Sequence, residues 1–296
     1  MGPLSQPLLL LILTALLSTI AAAAADNTNL VFKGCADQNF QDSGGTYKQA
    51  LTNLLDTLIT QSSAAKFFKT TSGSPPSSIT GLFQCRGDLS NEDCSRCVKR
   101  TPDFAQKLCG GAIAARVQLG GCYLRYEIAG FRQVSGTELL YKVCGSTRAS
   151  GAGFGDRLEL GFEEIVKGVG SGNGGYYAAV YQSVYVLGQC EGDLGGGDCV
   201  NCVKNAIDRA KSECGSSIAA QIYLQRCYIS YSYNPRGVPA DNQQPISPSS
   251  GTGKINTEKI IAIVLGGLVG VGLVMACLLF TKSAFKKKTH SHKYGG

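Results

Sequence analysis

The sequence predicts an α+β fold made of two tandem modules, each an antiparallel sheet with two helices on one face and three disulfides, followed by one C-terminal transmembrane helix. Three observations predict it: a cysteine spacing that occurs twice, helical periodicity followed by paired strands in each copy, and an uncharged apolar run near each end of the chain.

The first 25 residues hold no acidic or basic side chain, and Leu8 to Leu17 form an almost unbroken apolar stretch leading into Ala21 to Ala25. That is the pattern of a secretory signal peptide, with small residues for cleavage before Asp26. The second run, 260–280, has 21 residues and no charge. At about 1.5 Å of rise per residue it matches a hydrocarbon core about 30 Å thick, whereas a buried helix of a soluble protein seldom lacks a polar face over this length. Lys282, Lys286, Lys287, Lys288 and Lys293 follow it, and this bias assigns the tail to the cytosol.

Those five lysines also carry most of the net charge of +7. The near-neutral remainder gives no reason to expect a nucleic-acid partner, and the tail lysines suit anionic lipid headgroups. Twelve of the 13 cysteines lie between the two apolar runs. An even number in an exported segment reads as a disulfide framework. The thirteenth, Cys277, sits inside the expected span, as an inert thiol or an S-acylation site.

Cys85, Cys94, Cys97, Cys109 and Cys122 are separated by 9, 3, 12 and 13 residues, and Cys190, Cys199, Cys202, Cys214 and Cys227 repeat all four intervals. Segments 85–127 and 190–232 agree at 20 of 43 positions, so the ectodomain is a tandem duplication. A sixth cysteine lies upstream in each copy: Cys35 closes Leu30-Val-Phe-Lys-Gly-Cys35, and Cys144 closes Leu139-Leu-Tyr-Lys-Val-Cys144. The expected organisation is signal peptide 1–25, first module 26–134, second module 135–233, flexible stalk 234–259 with its Pro, Ser and Gly, span 260–280 and tail 281–296.

Tyr47, Leu51, Leu54, Leu55 and Leu58 recur at helical spacing, as do Leu158, Phe162, Ile165 and Val166, so each module opens with an amphipathic helix. Asn91, Glu92 and Asp93 mark the start of a second helix that turns Cys94, Cys97, Val98 and Ala105 inward. Segments 112–119 and 122–128 are rich in β-branched and aromatic residues around Gly120-Gly121, and read as paired strands; 217–224 and 227–233 repeat them.

Catalysis is not expected. The only histidines, His290 and His292, lie in the tail, so no ectodomain triad can use one. The Cys94/Cys97 and Cys199/Cys202 pairs have zinc-ligand spacing, but export and even pairing favour structural bridges, with no metal or cofactor expected. Glu163 and Glu164 point about 100° apart on a helix and suit solvation rather than a glycosidase pair. The glycine-dense run 168–175 lacks the Gly-Lys-Ser/Thr ending of a phosphate loop and reads as a surface loop. In the span, Gly266 and Gly270 form a Gly-x-x-x-Gly pair that would let two copies pack as a homo-oligomer.

The Cys-x8-Cys-x2-Cys pattern of both copies, with Ala112-Ile-Ala-Ala-Arg-Val-Gln-Leu119 and Cys122-Tyr-Leu-Arg-Tyr-Glu127, resembles the plant stress-antifungal domain of ginkbilobin. Two such modules, one span and a short tail resemble the plasmodesmata-located protein family. That resemblance implies a type I protein of the plasma membrane at plasmodesmata that regulates cell-to-cell movement, promotes callose deposition and acts in defence. It implies a cell-wall component or extracellular protein as partner. It also implies the bridges Cys35–Cys109, Cys85–Cys94 and Cys97–Cys122, then Cys144–Cys214, Cys190–Cys199 and Cys202–Cys227. The positions that hold mannose in ginkbilobin-like lectins correspond to Ala36, Arg116 and Glu127 here, and to Gly145, Gln221 and Ser232 in the second copy. Arg116 and Glu127 are therefore the candidate carbohydrate-binding residues of a tethered lectin, with a cross-strand ion pair between them as the alternative.

Overall fold

The computed structural model describes residues 27–234, apart from positions 43, 133, 151, 152 and 173. The expected signal peptide, the stalk beyond Asn234, the span with Gly266, Gly270 and Cys277, and the tail lie outside the described residues. Among the described residues no helix is long and apolar enough to cross a membrane.

The first module runs β1 (Leu30–Cys35), α1 (Thr46–Gln61), β2 (Phe67–Ser72), β3 (Ile79–Cys85), α2 (Asn91–Val98), α3 (Thr101–Cys109), β4 (Ala114–Leu119) and β5 (Cys122–Ile128). The second runs β6 (Leu139–Cys144), α4 (Phe154–Gly170), β7 (Tyr176–Tyr181), β8 (Val184–Cys190), α5 (Gly196–Cys214), β9 (Ala219–Leu224) and β10 (Cys227–Tyr233). Each module has a five-stranded antiparallel sheet, ordered β1-β4-β5-β3-β2 and β6-β9-β10-β8-β7. The strands expected around Gly120-Gly121 and in the second copy are β4, β5, β9 and β10, the centre of each sheet.

The expectation of two helices per module holds in the second and needs correction in the first. The second helix of module one breaks at Lys99–Arg100 and restarts as α3, with Pro102 in its first turn. Proline is tolerated there because its missing N–H would be unpaired anyway, whereas α5 has no proline and runs through 19 residues. Ser90 caps α2, its hydroxyl accepting from Asp93 N–H, with Glu92 and Asp93 in the first turn. That negative charge suits a helix N-terminus.

The helices cover one face of each sheet. Leu54 and Leu58 of α1 join Cys94, Cys97, Val98, Phe83 and Val117 in the first core; Phe162 and Ile165 of α4 join Val203, Ala206, Val186 and Ile222 in the second. The six bridges join the pairs that the resemblance implies, with Cα separations of 5.3–6.1 Å. Each one ties a helix to a strand of its own module.

The glycine run 168–175 is only partly a loop. Gly168 and Gly170 end α4, and a Cβ at Gly168 would lie 2.0 Å from the Tyr177 ring of β7. The absent side chain lets the helix close on the sheet.

Candidate functional site

Side chains alternate between the two faces of a strand, yet β8 and β9 are buried at every position. A sheet with helices on one face needs a second cover to achieve that, and the other module provides it. Leu82, Tyr123, Tyr185, Leu187 and Tyr223 are buried but belong to neither helix-side core; they lie between the two sheets.

Equivalent residues meet across this face. Phe32 of β1 stacks on Tyr141 of β6 at 5.1 Å between ring centroids, and Tyr223 meets Phe32 edge-on at 5.4 Å. Gln84 and Gln189 each immediately precede the first cysteine of the repeated spacing. Gln84 Oε1 accepts from Gly192 N–H at 2.8 Å and Gln189 Oε1 from Gly87 N–H at 3.2 Å, while Gln189 Nε2 donates to Cys85 O. Phe67 lies over Gly192 and Tyr176 over Gly87, where an added Cβ would fall within 2.5 and 2.3 Å of the ring. The modules are related as the halves of an isologous dimer are.

The charges break this symmetry. Position 86 is an arginine, donating to both Asp88 carboxylate oxygens, Gly120 O and Asn27 Oδ1. Its counterpart Glu191 has a fully buried side chain. It accepts from Tyr123 O–H at 2.6 Å, from Arg125 Nη2 at 3.1 Å and from Arg226 Nε at 3.2 Å. A buried carboxylate persists when it is paired and hydrogen-bonded, and Glu191 takes partners from both modules. Burial, then the Glu191 charge, pushes the Tyr123 phenol far above its ordinary range. Arg226 continues to Asp193, which also accepts from Lys69 of β2 at 2.9 Å. Burial would raise the Asp193 pKa, but Lys69 and Arg226 together hold it below the ordinary value.

At the rim of this face a cleft of about 260 Å³ opens between β1, β4, β5 and the segment leading to β6. Arg116 and Glu127 both line it. They do not pair with each other. Arg116 stands opposite Arg125 in the β4–β5 register, and Glu127 opposite Ala114. Glu127 takes its ion pair from Arg125 at 3.3 Å. Arg116 lays its guanidinium over the Tyr123 ring at 4.0 Å and donates to Gln225 O of the second module at 2.7 Å. Burial lowers its pKa, opposed by Tyr123 and Glu191. The alternative of an Arg116–Glu127 pair is thus corrected: the register favours Arg125, and the packed second module draws Arg116 away.

The sequence pattern of the salt stress response/antifungal family matches residues 34–129 and 143–234. Plasmodesmata-located protein 2 of Arabidopsis thaliana is 49% identical over 282 residues, with 91% of each chain covered. The chain belongs to the plasmodesmata-located protein family. Plasmodesmata-located protein 1 of the same plant is 48% identical over 283 residues, again with 91% of each chain covered.

The solved tandem DUF26 ectodomain of the Arabidopsis thaliana receptor-like protein PDLP8 superposes with a TM-score of 0.63 at 31% identity, covering 70% of this chain and 98% of that one. That of PDLP5 gives 0.60 at 29%, covering 70% and 100%. In this member of the plasmodesmata-located family, the lectin positions of module one hold alanine, an arginine engaged by the neighbouring module and a glutamate held by Arg125. In module two, Gln221 accepts from Tyr223 O–H at 2.7 Å, and Gly145 brings no side chain. The geometry does not favour a sugar clasp in either copy.

The inter-module face was missed by sequence reasoning. Its signal was present: positions 84, 118, 189 and 221 are glutamines and 123, 185 and 223 tyrosines, where a solvent-facing side of an antiparallel sheet would carry Lys and Glu.

Proposed function

We propose that this plasmodesmata-located family member is a membrane-anchored binding or scaffold protein of the channels between plant cells. It presents its paired modules outside the cell, regulates cell-to-cell movement and callose deposition, and takes part in defence. It performs no catalysis. Its partner is a cell-wall component or an extracellular protein.

The observation that carries this reading is the 48–49% identity, over 91% of both chains, to relatives named for their location in plasmodesmata. The structure supports a binding role in physical terms. Six bridges and a face hydrogen-bonded across both modules make the pair a pre-organised platform, which lowers the ordering cost of capturing a partner. The roles in callose deposition and defence rest on the family resemblance.

The test is overproduction of the full chain in leaf epidermis with a freely mobile fluorescent protein as tracer. The expected result is fewer cells reached by the tracer and more callose stain at the wall junctions. Unchanged spread and unchanged callose would overturn the proposal.

A further inference from the structure

Sheets in soluble proteins protect their outer strands against pairing with other chains, commonly with an inserted lysine or a bulge. Three of the four outer strands here follow that rule. β1 carries Lys33 and β6 carries Lys142, each with a register irregularity against its neighbour, and β2 carries Lys69, which faces Asp193. β7 breaks it. Its sequence, Tyr176-Tyr-Ala-Ala-Val-Tyr181, has no charge, no proline and no glycine, and its register to β8 is regular throughout. Val180 is 44% exposed, one of three large apolar side chains left in water among the described residues.

The hydrogen-bond phase of the strand is set by Cys190 N–H donating to Gly175 O. Bonded pairs alternate along an antiparallel ladder, so Tyr177, Ala179 and Tyr181 bond toward β8. The N–H and C=O groups of Tyr176, Ala178 and Val180 therefore turn outward, where no described strand pairs with them.

We propose that β7 is a self-pairing edge, through which two copies of this chain join their second-module sheets antiparallel about a two-fold axis at Ala178. The phase permits this register. Ala178 meets its own copy and Tyr176 meets Val180 of the other chain, so all three outward residues fall in bonded pairs. The Tyr–Val contacts are of the aromatic and β-branched type that stabilises cross-strand pairs. This edge carries no charge, whereas a self-pairing of β1, β2 or β6 would bring one lysine from each copy into the contact. The small alanines at the axis let the two backbones approach. Six residues of edge form a small contact beside a standard interface, so the pairing is weak between free molecules and forms where copies are held close.

The test uses the full chain in plant membranes, with Cys277→Ala to remove the one cysteine outside the six bridges. Ala178→Cys places two thiols on residues whose Cα atoms would lie about 5.5 Å apart, within disulfide reach. Mild oxidation is expected to give a covalent dimer on a non-reducing gel. Adding Val180→Lys should lower its yield at least about threefold, the scale of two lost cross-strand pairs. Adding Gly266→Leu and Gly270→Leu should leave it unchanged, which separates this contact from packing of the span. The same thiol placed on β2 by Thr70→Cys should give no dimer. Absence of the Ala178→Cys dimer, equal yield with Val180→Lys, equal yield from Thr70→Cys, or loss on changing the span glycines would overturn the proposal.

Discussion

Gln84 and Gln189 hold the same place in their modules, and each sends its side-chain oxygen across the interface to accept a backbone N–H of the other, from Gly192 and Gly87. A repeat that retains this reciprocal contact keeps its two copies in one fixed arrangement. Replacing Gln189 with leucine leaves Gly87 N–H without its acceptor, a loss of about 1–3 kcal/mol for a donor shut away from water. The denaturation midpoint of Gln189→Leu should fall, and Gln84→Leu should fall comparably. An unchanged midpoint in both would show that the modules do not depend on this contact.

Glu191→Gln tests the asymmetric part of the interface. The substitution keeps the shape but leaves Arg125 and Arg226 facing each other without the carboxylate that holds them. Removing one partner of a buried ionic group typically costs about 3–5 kcal/mol. The same change at the surface pair Glu92–Arg96, where both side chains are well exposed, should cost at most about 1 kcal/mol. The two variants are compared by urea unfolding.

Asp193 gives the interface a pH dependence. Its carboxyl is held below its ordinary value in the folded state, because Lys69 and Arg226 outweigh burial. A depressed carboxylate contributes stability that is present above its unfolded pKa of about 3.9 and is lost as pH falls through the lower folded value. Wild type should therefore exceed Asp193→Asn in stability at pH 7, and the gap should close below about pH 4. A gap independent of pH would contradict the assignment.

The hairpin between β7 and β8 turns on Gln182 and Ser183, both with positive φ, 45° and 71°. Such turns favour glycine or asparagine because a Cβ crowds the backbone there. Ser183→Gly should stabilise the protein by about 0.5–1 kcal/mol, the relief exceeding the added freedom of the unfolded chain. Thermal unfolding checks this, and a lower melting temperature would refute it.

Much of the module is legible in the sequence because periodic and repeated signals wrote it. The leucines of α1 recur every three to four residues, and the cysteine intervals repeat, so the helices and the strands beside Gly120-Gly121 could be placed. β1, β2, β3, β6, β7 and β8 were not. β8 is apolar or neutral at every position because both of its faces are covered, and a run of that kind shows no alternation to read. The strands that carry Arg116 and Glu127 are readable in the sequence, but the partners of the two side chains are not. Arg116 reaches Gln225, 109 positions away in another module, and no local pattern encodes a contact made by docking two domains.

Residence at plasmodesmata is tested by the position of a C-terminally tagged full chain in living leaf tissue, imaged beside a callose stain. Paired puncta across shared cell walls, coincident with callose, are expected. An even distribution over the plasma membrane, with no enrichment at the wall junctions, would contradict it.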